Sequence, residues 1–308
     1  KKGKERLDNS IEILSLLCEP VEPPQGELEH IQFFCGNTEI ESDLKEREAH
    51  RAALYKAAAL MARSYANIAD ELEQAGYSQN DVKRIKRELK HYLDVREIVR
   101  KASGETLDLK PYEADMRHLI DTYIEADEPR TISPFDGLSL LDLIVKTGIA
   151  EAITNQLGAL KGNKEAIAET IENNVRSKII KENLNDPEFY ARMSELLDEL
   201  IRARKEHALD YEVYLKRIAE IAKMVNVGAA ADTPEELDTP GKRALYNNLG
   251  QDKELAILLD RKIKQVRPDG WRGVQPREQI IKQGLYELLG DESEVERIFI
   301  IIKAQSEY

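Results

Sequence analysis

The sequence predicts an all-α protein of two packed helical domains, a helix array followed by a C-terminal helical bundle, with little or no sheet. Three observations carry this. Apolar residues recur at helical spacing through most of the chain, as in Val82, Ile85, Leu89, Tyr92 and Val99. Helix starts are marked by Asp186-Pro187, Asp210, Thr239-Pro240 and Gln275-Pro276. Only 16 Gly and 11 Pro occur among 308 residues, too few for a chain of many tight β turns.

In chain order, Leu7 to Leu17 reads as a short helix with Ile11, Leu14 and Leu17 on one side. Glu19 to Pro24 forms an extended connector, because proline disfavours helix at and before its own position. Ile31 to Phe34 is an apolar run of undecided type. Ser42 to Ala75 is expected to be one long alanine-rich helix, with bulk from Leu44, Tyr55, Leu60, Tyr65 and Leu72. Gly76 then serves as a C′ residue, and Ser78 with Asp81 forms a capping box that starts a helix running to Ser103-Gly104. Pro111 opens a helix reaching Ala126, since proline at the first helical position removes an N–H that has no partner there. A loop covers residues 128–137, and short helices end near Gly148 and Gly158.

Gly158 to Asn163 is the expected domain boundary, dividing residues 1–160 from 161–308. Beyond it the spacing predicts helices over 164–183, 187–207, 211–225, 240–249, 252–266, 276–289 and 291–304. A loose loop spans Gly228 to Leu237. Phe299 to Ile302 is too short a run for periodicity to separate helix from strand.

Hydrophobic residues make up 42% of the chain, enough for a real core, and charged residues make up 33%, which suits helices with solvated faces. The formal net charge is -13, so the surface as a whole is not a strong nucleic-acid binder. Two cysteines, Cys18 and Cys35, imply no disulfide framework, and a reducing cytoplasm is the expected compartment. No apolar run approaches the ~18 residues needed to span a bilayer. The chain opens on Lys1 rather than Met and no signal peptide follows, so it reads as a fragment of a longer protein.

No catalytic or metal site emerges. Gly241-Lys242 lacks the upstream glycines and the strand of a phosphate-binding loop. Asp81 with Glu88-Leu-Lys90 mimics a metal-dependent nuclease signature, but carboxylates seven residues apart on one helix lie about 10 Å apart along its axis. They do not converge on one ion. Cys18, His30 and Cys35 supply only three potential zinc ligands and no close Cys pair.

Three sets of residues stand as candidate interaction sites. Lys83, Arg84, Lys86, Arg87 and Lys90 cluster on one helix whose Val82, Ile85 and Leu89 point to the core. Lys83, Arg87 and Lys90 of this cluster make a positive stripe, which is either a track for DNA phosphates or a solvated face paired with Glu73, Asp94 and Glu97. Residues 261–282 carry seven basic side chains against Asp269 and Glu278, and include the single tryptophan, Trp271, followed by Arg272. Trp271 is either an interface hot spot or a plug on the core. Asn173, Asn174 and Arg176 lie in the middle of a helix, where Asn has poor propensity. They either bind a partner, a nucleotide or a neighbouring loop, or cap a neighbouring helix end.

The ordered set of segments carries a family resemblance. Ala168-Glu-Thr-Ile-Glu-Asn-Asn-Val-Arg176 is followed by Met193-Ser-Glu-Leu-Leu-Asp-Glu-Leu-Ile201, Tyr211-Glu-Val-Tyr-Leu215, the run Leu237 to Gly250 and Asp269-Gly-Trp-Arg-Gly273. Upstream stand Ile31-Gln-Phe-Phe-Cys-Gly36, Ala53-Leu-Tyr55, Arg63 to Leu72, His91-Tyr-Leu-Asp-Val-Arg96, Ala102-Ser-Gly104, Asp108-Leu-Lys110, Met116 to Ile124 and Phe135-Asp136. Together they resemble the helical and C-terminal region of the motor and endonuclease subunit of type I restriction enzymes. The resemblance implies a non-catalytic portion that supports the ATP-dependent DNA translocase and docks it onto the methyltransferase and specificity subunits. It implies ATP and Mg for the parent subunit and no cofactor for this portion, because none of the family's nuclease or motor motifs has a counterpart here. Contact with DNA is then expected through the assembly, the alternative being direct binding by the basic faces at 83–90 and 261–282, and no membrane partner is expected.

Overall fold

The computed structural model describes residues 2–105, 138–160 and 162–308. Among these residues the fold is all-α, with fourteen α-helices, two short 3-10 turns and no strand. The helices are α1 (Lys2–Cys18), α2 (Glu27–Cys35), α3 (Asp43–Glu46), α4 (Glu48–Ala66), α5 (Gln79–Ser103), α6 (Leu140–Thr147), α7 (Ile149–Gln156) and α8 (Lys164–Glu182). They continue as α9 (Pro187–Lys205), α10 (Tyr211–Val227), α11 (Pro240–Asn248), α12 (Lys253–Val266), α13 (Gln275–Leu289) and α14 (Glu292–Ala304). The helix expected from Pro111 and the loop over 128–137 lie outside the described residues. So do Asp108 to Lys110, Met116 to Ile124 and Phe135-Asp136.

The chain divides into two compact units, residues 1–177 and 178–308. The segment 158–163, expected as the boundary, lies within the first unit, and the division falls inside α8.

In the first unit α4 packs against α1 and α5, and α2 packs against α5. Ala57, Ala58, Ala59 and Ala62 of α4 are buried, and such small side chains let neighbouring helix axes approach closely. The single helix expected over 42–75 is instead broken. α3 and α4 are separate, and the chain leaves helical geometry at Ile68, whose φ is −132°. The cause is tertiary. Ile68 packs on α1 so tightly that a Cβ at Gly3 would sit 2.5 Å from its Cγ2. That contact overrides the propensity of the surrounding alanines. Leu60, expected to supply bulk, is 48% exposed, whereas Leu44, Tyr55, Tyr65 and Leu72 are buried. Gly76 has φ +93°, as a residue closing the turn after Leu72 requires.

α5 starts on the expected capping box. The Asp81 amide donates to Ser78 Oγ at 3.2 Å, and the Ser78 amide donates back to Asp81 Oδ2 at 3.1 Å. It ends at Gly104, whose φ of +65° lies in the left-handed region. Ile31 to Phe34 falls within α2 and Phe299 to Ile302 within α14, so both undecided runs are helical.

In the second unit α10 packs on α9, α12 on α11, α13 on α12 and α14 on α13. Its core gathers Leu245, Leu259, Ile263, Ile281, Leu285, Ile298 and Ile302 around Trp271. Burying each such aliphatic side chain contributes about 1.5–3 kcal/mol before entropy is counted. Asp186, Thr239, Asp252 and Asp291 each accept the amide hydrogen of the residue three positions on, fixing the starts of α9, α11, α12 and α14.

Candidate functional site

The basic stripe of α5 is on the surface. Lys83, Arg84, Lys86, Arg87 and Lys90 are exposed, while Ile85 and Leu89 on the opposite side are fully buried. Arg84 is held within its own helix, 3.6 Å from Asp81 and 3.5 Å from Glu88. The two carboxylates that mimic a nuclease signature thus flank a guanidinium, and Asp81 is further engaged at the capping box. Lys83, Lys86 and Arg87 enter no ion pair among the described residues. With Asn80 they line an open hollow on the surface. Glu97, one of the expected neutralising partners, pairs instead with Arg100 at 2.8 Å and Lys101 at 3.6 Å.

Asn173, Asn174 and Arg176 do not form a docking face. They are 2%, 8% and 3% exposed, because α8 is enclosed on every side from residue 166 to 176. Asn174 Nδ2 donates to Thr170 O at 2.8 Å within α8 and to Lys101 O at 2.7 Å. Lys101 O belongs to the last turn of α5, whose carbonyls have no partner inside the helix. Asn174 therefore caps the end of another helix. Arg176 Nη2 donates to Thr38 O at 3.3 Å, and Gln32 Nε2 donates to Glu169 Oε1 at 3.1 Å, so α8 is tied to the loop after α2 and to α2 itself. Asn174 and Arg176 thus serve packing within the first unit, whereas the buried Asn173 Nδ2 has no hydrogen-bond partner among the described residues.

Trp271 is a core plug, not an exposed hot spot. It is 2% exposed, its ring centroid lies 5.7 Å from that of Phe299, and its Nε1 donates to Tyr308 O at 3.0 Å. The Arg272 guanidinium sits over the indole at 4.6 Å and donates to the carbonyls of Lys303 and Gln305. The remaining basic residues of 261–282 are also largely engaged. Lys262 pairs with Glu287, Lys264 with Asp260 and Lys282 with Glu296. Arg267 donates to Glu307 O at 3.0 Å, and Arg277 to Asp269 O at 2.7 Å. Only Arg261 of this set makes neither an ion pair nor a hydrogen bond among the described residues. The charge run neutralises acidic neighbours and ties down loops.

Two buried polar clusters escape sequence reasoning. In the second unit both carboxylate oxygens of Asp186 accept from the α11 amides, Oδ2 from Asn247 Nδ2 and Oδ1 from Asn248 Nδ2, each at 2.7 Å. Oδ1 also takes the Phe189 amide, so one side chain starts α9 and pins α11. Burial pushes this carboxyl up to about 6 despite those donors. The doubled Asn247-Asn248 in a helix was the available signal, the same oddity as Asn173-Asn174. In the first unit Arg51, 2% exposed, forks onto Glu105 and donates to Phe34 O at 3.0 Å. Only the proximity of a fold could have paired residues 51 and 105.

Cys18 and Cys35 are buried thiols, pushed up by desolvation to about 11 and about 12. His30 bonds through Nδ1 to Gly26 O at 2.7 Å. No group of three or more His, Cys, Asp or Glu side chains stands at metal-binding geometry among the described residues, and no described helix is long and apolar enough to cross a membrane. Comparison of the chain with protein-family profiles, curated proteins and solved structures finds no match in any of the three.

Proposed function

We propose that this chain is a non-catalytic helical assembly module of a type I restriction enzyme motor subunit. In this reading it supports the DNA translocase and docks it to the methyltransferase and specificity subunits. The observation that carries the reading is where the buried polar side chains go. Asn174, Arg176, Arg51, Asp186 and Asn248 all hydrogen-bond to other helices or loops of the same unit. Side chains committed in this way stiffen helix arrays and leave charged exteriors for partners. The ordered segment resemblance supplies the identity of those partners. Calorimetric titration of the chain into a purified methyltransferase–specificity complex tests the reading. Saturable binding in the micromolar range or tighter is expected, and DNA-stimulated ATP turnover by the chain alone would overturn it.

A second reading, direct contact with DNA, is favoured by one observation. Lys83, Lys86 and Arg87 lie exposed within one stripe of α5 and are not neutralised by acidic neighbours among the described residues. Three such cations could follow a phosphate backbone, each contact releasing counterions. Binding of duplex DNA at low salt that weakens as salt rises is the test.

A further inference from the structure

The last four residues of the chain lie in a slot built by distant parts of the second unit. Tyr308 is 3% exposed and Gln305 5%, although neither belongs to a helix. The Tyr308 hydroxyl donates to Asp260 Oδ1 of α12 at 2.8 Å. Its carbonyl accepts from Trp271 Nε1 at 3.0 Å and from Arg267. Thr239 Oγ1, at the start of α11, donates to Glu307 Oε1 at 2.9 Å. Arg272 holds Gln305 O.

Two features set this apart from ordinary core packing. First, among the described residues every hydrogen bond to residues 306–308 involves a side chain, so the segment is read group by group as a bound peptide is. Second, the slot is cut to the segment. A Cβ at Gly241 in the first turn of α11 would lie 2.2 Å from Glu307 Oε1, 2.7 Å from Tyr308 Oη and 2.8 Å from Tyr308 Cε2. Gly241 has no positive φ to require glycine. A side chain at this position would meet the two tail residues at less than van der Waals distance.

We propose that the slot formed by Thr239–Gly241, Asp260, Arg267 and Trp271 is a recognition site for a peptide carrying an acidic residue followed by tyrosine, and that Gln305–Tyr308 is its releasable occupant in cis. Asp260 and Thr239 select the tyrosine hydroxyl and the carboxylate. Arg267 and Trp271 hold the main chain. Release uncovers the indole and leaves the Asp260 carboxylate able to accept another hydroxyl.

Trp271 is the single tryptophan, so its emission reports the occupant directly. In the full chain, Gly241→Ala should shift that emission to longer wavelength while far-ultraviolet dichroism stays helical. Unchanged emission with a raised melting temperature would overturn the proposal. A chain ending at Ala304 should show the same shift, reversed saturably by the peptide Lys-Ala-Gln-Ser-Glu-Tyr. Replacing the peptide's tyrosine by alanine should weaken binding by about tenfold or more, the worth of one hydrogen bond to a charged group. Three results count against the site: no peptide response in a folded truncated chain, equal binding of the alanine peptide, or loss of helix that the peptide does not restore.

Discussion

Asn174 and Lys101, 73 positions apart in sequence, meet end to side: the amide of one donates at 2.7 Å to the main-chain carbonyl of the other. Gly104 lies directly beneath. A Cβ there would stand 2.8 Å from Asn174 Oδ1 and 3.1 Å from its Cα, and the residue's φ is +65°. The last turn of α5 and the middle of α8 are therefore fitted to each other by one capping amide and one absent methyl. Asn174→Ala is expected to lower stability by about 1 kcal/mol or somewhat more, because it leaves a part-buried carbonyl without that donor. Gly104→Ala adds left-handed strain to the clash and should cost at least as much. Urea denaturation followed by dichroism measures both.

Asp186 makes the second unit pH-sensitive. Burial holds its folded pKa near 6 against an ordinary 3.8, so the folded state keeps the proton that the unfolded state gives up first. The contribution is complete below about pH 4 and is lost as pH rises through about 6. Relative to Asp186→Asn, the wild-type chain should lose on the order of 2–3 kcal/mol between pH 4 and pH 7. A difference between the two proteins that does not change with pH would show that the carboxyl is not buried as described.

Arg51 and Glu105 form an ion pair that is costly to halve. The guanidinium is 2% exposed and the Glu105 side chain 18% exposed. Glu105→Gln leaves a buried charge uncompensated and should cost about 3–5 kcal/mol, whereas the double change Arg51→Met with Glu105→Leu should cost clearly less. Thermal melts of the two variants side by side decide the point.

The helical array was legible because the second unit obeys local rules. Asp186-Pro187, Thr239-Pro240 and Asp291 announce helix starts, and the observed bounds fall within a few residues of those read from spacing. The long helix over 42–75 was misread because its break depends on Ile68 meeting Gly3, a contact no window of sequence contains. The candidate sites were harder. Charge runs and doubled asparagines mark unusual positions, but they do not say whether burial follows. Asn173, Asn174, Arg176 and Trp271 turned inward, and most of the 261–282 cations met acidic or carbonyl partners brought in from α13, α14 and the tail.

The α5 stripe should separate charge from stability. Replacing Lys83, Lys86 and Arg87 by glutamine touches no described ion pair, so the melting behaviour should stay within about 0.5 kcal/mol of the parent. If the stripe follows DNA, the slope of log K against log salt should fall in magnitude by about 3, near one unit per lost phosphate contact. An unaltered slope would remove the stripe from any account of DNA contact.

Docking to the methyltransferase and specificity subunits is the property that decides the proposed role. The most direct measurement is competition: the isolated chain titrated into a restriction reaction reconstituted from cognate motor, methyltransferase and specificity subunits. A passive adaptor that occupies the motor subunit's position should inhibit DNA cleavage in a saturable way and leave methylation untouched. Cleavage that continues unchanged at a large excess of the folded chain would contradict it.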